Sequence, residues 1–147
     1  KNPEKAYRHY AAARRARNIA GTAAEGYLLL KGEGVKQDLV RGTTLLNIAA
    51  NAGYGHACVL KAHAEYAGFD GSPDASKAAE YLNDAAVMKT PEAYVYLAFI
   101  TAKGGTNLAA NPKLAESYVR MASLDMGDKA QQLYDKLMAE GKWVPHP

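Results

Sequence analysis

Cysteine is almost missing from this chain: Cys58 stands alone among 147 residues, which excludes an internal disulfide and any zinc cluster built on cysteines. Placed within a helical pattern, it reads as a small buried hydrophobe. Long apolar runs are missing too, and without about 18 consecutive apolar residues no helix is expected to span a membrane. Nor does any segment of four or more residues combine strict apolar alternation with β-branched enrichment, so no strand is expected. Tryptophan occurs once and phenylalanine twice, leaving the aromatic content to ten tyrosines. Neither sign of charge dominates, since the net formal charge is +3. The excess is local, however: Lys1, Lys5, Arg8, Arg14, Arg15 and Arg17 against Glu4 give +5 within the first 17 residues. Such a cluster fits either a solvated face of a terminal helix or an electrostatic patch for nucleic acid or an anionic membrane.

What is present is a repeat. The stretch Asp74-Ala75-Ser76-Lys77-Ala78-Ala79-Glu80-Tyr81 runs on to Ala85-Ala86 and recurs in altered form 36 residues earlier, from Asp38 to Ala49-Ala50. One step further back it reaches Asn2-Pro3-Glu4-Lys5-Ala6, and downstream, at a step of 37, Asn111-Pro112 leading to Ala115, Tyr118 and Ala122. The glycines Gly32, Gly68, Gly104 and Gly141 repeat the same steps of 36, 36 and 37. Two series that share a one-residue insertion define one register.

Eight helices fit this register: residues 3–17, 19–31, 39–51, 56–67, 75–88, 91–103, 112–124 and 128–140. Asn2, Asp38, Asp74 and Asn111 are placed to cap the odd-numbered helices, and Thr90-Pro91-Glu92 to start the sixth. Gly32, Gly68, Gly104 and Gly141 end the even-numbered ones. Gly104-Gly105-Thr106-Asn107 lacks the lysine and strand of a phosphate loop and reads as a helix stop with a flexible connection. Each helix is short, hence marginal alone, and its stability must come from neighbours that bury one another's apolar stripes. Small residues mark the crossings: Gly21, Ala57, Ala93 and Ala130 on one set of helices, Gly42, Ala78 and Ala115 on the other. The expected fold is all-α, a solenoid of about four antiparallel helix pairs forming a single domain over residues 1–147.

Gly32-Glu33-Gly34-Val35, a capping aspartate six residues past the first glycine, Lys77-Ala78, Tyr81, Ala85-Ala86, Ala93, Leu97, Ala98 and Gly104 together resemble the Sel-one-like repeat family, relatives of the tetratricopeptide repeat. The resemblance covers nearly the whole chain. It departs at Glu25-Gly26 and Lys61-Ala62, where the family carries Leu-Gly, and at Gly68-Phe69-Asp70-Gly71, which replaces the Gly-x-Gly-Val turn. The resemblance implies right-handed superhelical stacking and a non-enzymatic adaptor role, with another protein or a peptide bound on the concave face lined by the first helix of each pair. Bacterial members resemble parts of secretion and envelope systems and immunity proteins against secreted effectors, so the implied partner is a secreted effector or an envelope component, in a cytoplasmic or periplasmic setting that the sequence leaves open. Disulfide-rich, β-lactamase-like members differ from this chain in their paired cysteines.

Constellations for chemistry are sparse. His56 and His63 lie seven residues apart, about 10 Å along a helix axis, too far to share a metal ion, which favours the four-residue step. Neither a metal nor a cofactor is expected. His56 and Glu92, one repeat apart, could serve acid–base chemistry in a hydrolase-like alternative, but no nucleophile or oxyanion donor accompanies them.

The stronger signal is the face beside the packed stripe of each first helix: Ala23, Tyr27 and Leu30, then Val59, His63 and Tyr66, then Val95, Phe99 and Ala102. Charged residues usually occupy a solvated helix face, so this apolar, aromatic trough fits a partner-binding surface with Tyr27, Leu30, Val59, His63, Tyr66, Val95 and Phe99 as its contacts. The bland alternative is that these side chains pack on the adjacent helix. Gln132 and Lys136 end the pattern, as a polar terminal repeat should. Beyond Gly141, Trp143 is expected either to fold back over the last two helices, near Leu133 and Leu137, or to stand exposed as a docking point.

Overall fold

The structure, a computed structural model, describes residues 2–15 and 18–145, with the side chains of residues 12–15 left out. Ala13, Arg14, Arg15 and Arg17, together with Lys1 and His146, therefore lie outside the described side chains, and much of the N-terminal basic cluster with them. Eight α-helices follow in order: α1 Pro3–Arg15, α2 Ile19–Lys31, α3 Leu39–Asn51, α4 Gly55–Ala67, α5 Ala75–Val87, α6 Glu92–Lys103, α7 Pro112–Met126 and α8 Asp128–Glu140. Among the described residues the only β pairing is an isolated antiparallel bridge, Gly105 with Leu108.

The capping register is met in all four repeats. The side-chain oxygens of Asn2, Asp38, Asp74 and Asn111 accept hydrogen bonds from the backbone N–H groups of Lys5, Arg41, Lys77 and Leu114 at 3.0–3.1 Å. Each such cap satisfies an N–H that the helix itself leaves open, worth about 1 kcal/mol. At the other end, Gly32, Gly68 and Gly141 take the left-handed conformation that closes α2, α4 and α8, where a Cβ would be strained. Two local expectations need correction. Pro91 occupies the N-cap of α6 rather than its first turn, and the Thr90 carbonyl, not its side chain, accepts the Ala93 N–H. The segment after α6 is an ordered turn, not a loose connection: Gly105 and Leu108 exchange backbone hydrogen bonds, and the Thr106 carbonyl accepts from Ala75 at the start of α5.

Packing follows the repeat. Helices α2 and α3, α4 and α5, and α6 and α7 form the tightest pairs, and the pairs stack side by side. The crossing residues are buried as expected: Ala57, Ala78, Ala93, Ala115 and Ala130 have no exposed surface. In the first pair Gly42 meets Gly26, since a Cβ on Gly42 would stand 2.7 Å from the Gly26 carbonyl oxygen. Helix α2 is buried along ten consecutive residues, Gly21–Leu30, and this is why its sequence lacks the polar face that a surface helix needs. The apolar interior forms two clusters that meet at α4, one gathered on α2–α4 and a larger one running from α4 to Trp143.

Candidate functional site

Along the inner side of the stack, α2 lies next to α4 and α6 next to α8, while α4 and α6 approach each other less closely. Tyr27, His63 and Phe99 occupy equivalent positions on α2, α4 and α6, so the stack brings successive repeats' side chains together. The Tyr27 hydroxyl and His63 Nδ1 are 2.8 Å apart. His63 also hydrogen bonds the Trp143 backbone, an interaction that favours the protonated ring and so has the carbonyl as its acceptor.

The trough expected to be open is filled. Val59, Val95 and Phe99 have no exposed surface, Tyr27, Leu30 and His63 are buried, and Tyr66 is half-buried. Three things fill it. Leu30 turns toward α3, its Cδ2 lying 2.9 Å from where a Cβ on Gly42 would stand. Phe69, from the connection after α4, packs its ring against Tyr27 at 5.7 Å and against His63 at 5.6 Å. Its loop is held by Gln37, whose Nε2 donates to both the Leu30 and Phe69 carbonyls at 2.8 and 2.7 Å.

The third filler is the C-terminal tail. Trp143 does fold back, yet it reaches past α8 to the opening between α4 and α6. Its ring stacks on Tyr96 at 5.2 Å and 16°, meets His63 edge-on at 5.2 Å, and lies 5.9 Å from Tyr66. Only 3% of Trp143 is exposed. Leu133 and Leu137 border it with Val144 and Pro145 around a small cavity of about 210 Å³, so the expected neighbours are present but secondary. Among the described residues the buried indole Nε1–H has no hydrogen-bond partner, a deficit of about 1–3 kcal/mol.

Electrostatics follow burial. The loss of water around His63 and then the charge of Lys31 lower its pKa to about 4, against the opposing pull of the Trp143 carbonyl. Burial likewise raises the pKa of Tyr27, Tyr66 and Tyr96. One charged residue is as deeply buried as Phe99: Glu25, fully buried on α2, accepts from the Tyr7 hydroxyl at 3.1 Å and from Arg41 Nη2 at 3.4 Å. It ties α1 and α3 to α2 at the position where the repeat pattern would carry leucine.

The inner side remains open beyond the tail. A cavity of about 570 Å³ lies between α1, the end of α2 and the tail, lined by Pro3, Ala6, His9, Tyr10, Tyr27, Leu28, Lys31, Val144 and Pro145 among others. Tyr27 is the one residue of the expected trough that faces it. Elsewhere, the His56 ring meets Tyr54 edge-on at 5.9 Å, and Glu92 begins α6. No group of three or more His, Cys, Asp or Glu among the described residues is placed to hold a metal ion. Among the described residues no helix is long and apolar enough to cross a membrane.

Repeated helix pairs with a recessed inner side define a helical-repeat solenoid. More particularly, the fold is that of the Sel1-like repeat proteins. The chain superimposes on the Sel1 repeat protein of Oxalobacter formigenes with a TM-score of 0.66 at 21% identity, over 97% of this chain and 58% of that one. It matches a protective antigen with the Sel1-like fold from uropathogenic Escherichia coli with the same TM-score and identity, over 95% of this chain and 30% of the antigen. A Klebsiella pneumoniae protein assigned to the same repeat class gives 0.61 at 19% identity, covering 94% and 69%. This chain thus spans well under two thirds of the first two. No family model and no curated protein matches the sequence.

Proposed function

We propose that the chain is a non-enzymatic protein-binding module, an adaptor that takes a segment of another protein on the inner side of its solenoid. The observation that carries this reading is the open cavity of about 570 Å³ at the N-terminal end of that side, where exposed His9 and Lys31 and half-buried Tyr10 border an apolar floor. A recess that pairs aromatic and apolar walls with a few polar groups suits a side chain or short segment of a protein partner. Tyr27 reaches it from α2 as an aromatic contact, with His63, Tyr66, Leu30, Val59, Val95 and Phe99 as the packed support behind. The partner class in this reading is an envelope component or secreted effector of a bacterium.

The test must spare the core, because truncating Phe99 would unfold the chain rather than report on binding. The immobilised full chain is compared with a triple variant, His9→Ala, Tyr10→Ala and Lys31→Glu, in capturing its partner from bacterial extract. Loss of one anchor of this kind costs about 2 kcal/mol, so the variant should retain less than about a tenth of the captured partner with its helical circular dichroism unchanged. Equal capture by both would refute this placement.

A further inference from the structure

The tail is seated unlike the rest of the fold. Residues 142–145 make no backbone–backbone hydrogen bond with the other described residues. Apart from the His63 contact, the tie nearest to them is Lys103 Nζ donating to the Gly141 carbonyl at 3.4 Å. Trp143 is inserted into an aromatic slot made by His63, Tyr66 and Tyr96, while its indole N–H finds no acceptor there. Val144, next along, is 62% exposed and rims the open cavity. The tail thus behaves as an extended peptide ligand held by one side chain, and it lies directly in line with the recess that a partner would enter.

Taking the inner side as the binding surface, we infer that the segment Lys142–Pro145 is a built-in, displaceable occupant of the slot between α4 and α6. The partner that fits is an extended segment of another protein carrying an aromatic residue followed by an aliphatic residue and proline. The chemistry of the slot dictates this. It offers flat aromatic faces to one ring and an imidazole N–H to the backbone carbonyl beside it, and the cavity beyond continues the path for the following residues. An aromatic ring without an N–H, such as phenylalanine, fills the slot without burying an unsatisfied donor. The partner gains access by competing with the tail, so the tail sets the affinity: with the slot occupied most of the time, apparent binding is weakened in proportion to the unoccupied fraction.

The probe is the synthetic peptide Gly-Lys-Phe-Val-Pro-His-Pro, which carries the tail's chemistry without tryptophan. Because Trp143 is the only tryptophan, titration of the full chain with this peptide should shift its emission to the red and make it accessible to acrylamide as the tail is expelled. In a second arm, the same phenylalanine peptide is titrated into the variant Trp143→Ala and into the full chain by isothermal calorimetry. The variant should bind it about tenfold or more tightly than the full chain does, as expected when a competing occupant is removed. Trp143 that stays buried at saturating peptide overturns the inference, as do equal affinities of the two proteins. Formation of a dimer in which Trp143 remains protected would assign the slot to the tail of a second copy and overturn it as well. Should Trp143→Ala unfold, the full-chain titration decides alone. If the peptide fails while partner capture still depends on Tyr10 and Lys31, only the role of the tail falls and the binding-module reading stands.

Discussion

At neutral pH the imidazole of His63 stays uncharged between the Tyr27 hydroxyl and the Trp143 carbonyl, since burial, followed by the Lys31 charge, lowers its pKa to about 4. Unfolding returns the ring to water, where it takes up a proton near pH 6.5. Between these values the unfolded chain binds a proton that the folded chain does not, so stability rises with pH across that window. The contribution is complete above about pH 6.5, is lost as pH falls toward about 4, and has a ceiling on the order of 3 kcal/mol. In the protonated ring Nδ1 carries a hydrogen, so the Tyr27 hydroxyl must then accept from it. Thermal melts between pH 7 and 4.5 should show wild type losing more stability than His63→Phe, the residue found at the equivalent site of the next repeat. Parallel losses in the two proteins would mean that His63 is not the responsible group. Glu25 and Phe69 are the residues whose roles the sequence hid. Both were visible as departures from the repeat pattern, but a departure has no address until the stack shows that one binds α1 and α3 and the other plugs the inner side.

Among the helices, the crossing of α2 and α3 is the one built on two glycines. Gly42 faces the Gly26 backbone, and the register places Ala78 and Ala62, then Ala115 and Ala98, at the equivalent positions of the next repeats. A Cβ added at Gly42 would lie 2.7 Å from the Gly26 carbonyl oxygen and 2.9 Å from Leu30 Cδ2; the side chain can shift, the carbonyl much less. Gly42→Ala should therefore destabilise the fold by about 1–3 kcal/mol, as overpacking does elsewhere, although alanine is by itself the better helix former. Urea unfolding measures it, and a gain in stability would show that α2 and α3 have room to separate. Helix positions were legible to within a residue or two because caps and stop glycines are local signals, repeated four times at one period. The start of α6 was read less well because proline at a helix start suits either side of the boundary.

For the whole molecule, a period of 36 with a shared one-residue insertion was enough to specify a solenoid, since stacking is the way short amphipathic helices with one register bury their stripes together. The inner side was harder to read. Tyr27, Val59, His63, Val95 and Phe99 share a helix face, and sequence spacing reports the face without reporting what covers it. That depends on contacts between residues 36 or more apart in the chain: Tyr27 with His63, Phe69 with Tyr27, and above all Trp143 with residues up to 80 positions earlier. The central claim is accordingly that this solenoid carries its own C-terminal tail on its inner side. Fluorescence of Trp143 in the isolated chain tests it most directly. A blue-shifted emission protected from acrylamide, becoming exposed only on unfolding, is the predicted result; emission and quenching like those of free tryptophan in the folded protein would contradict the account.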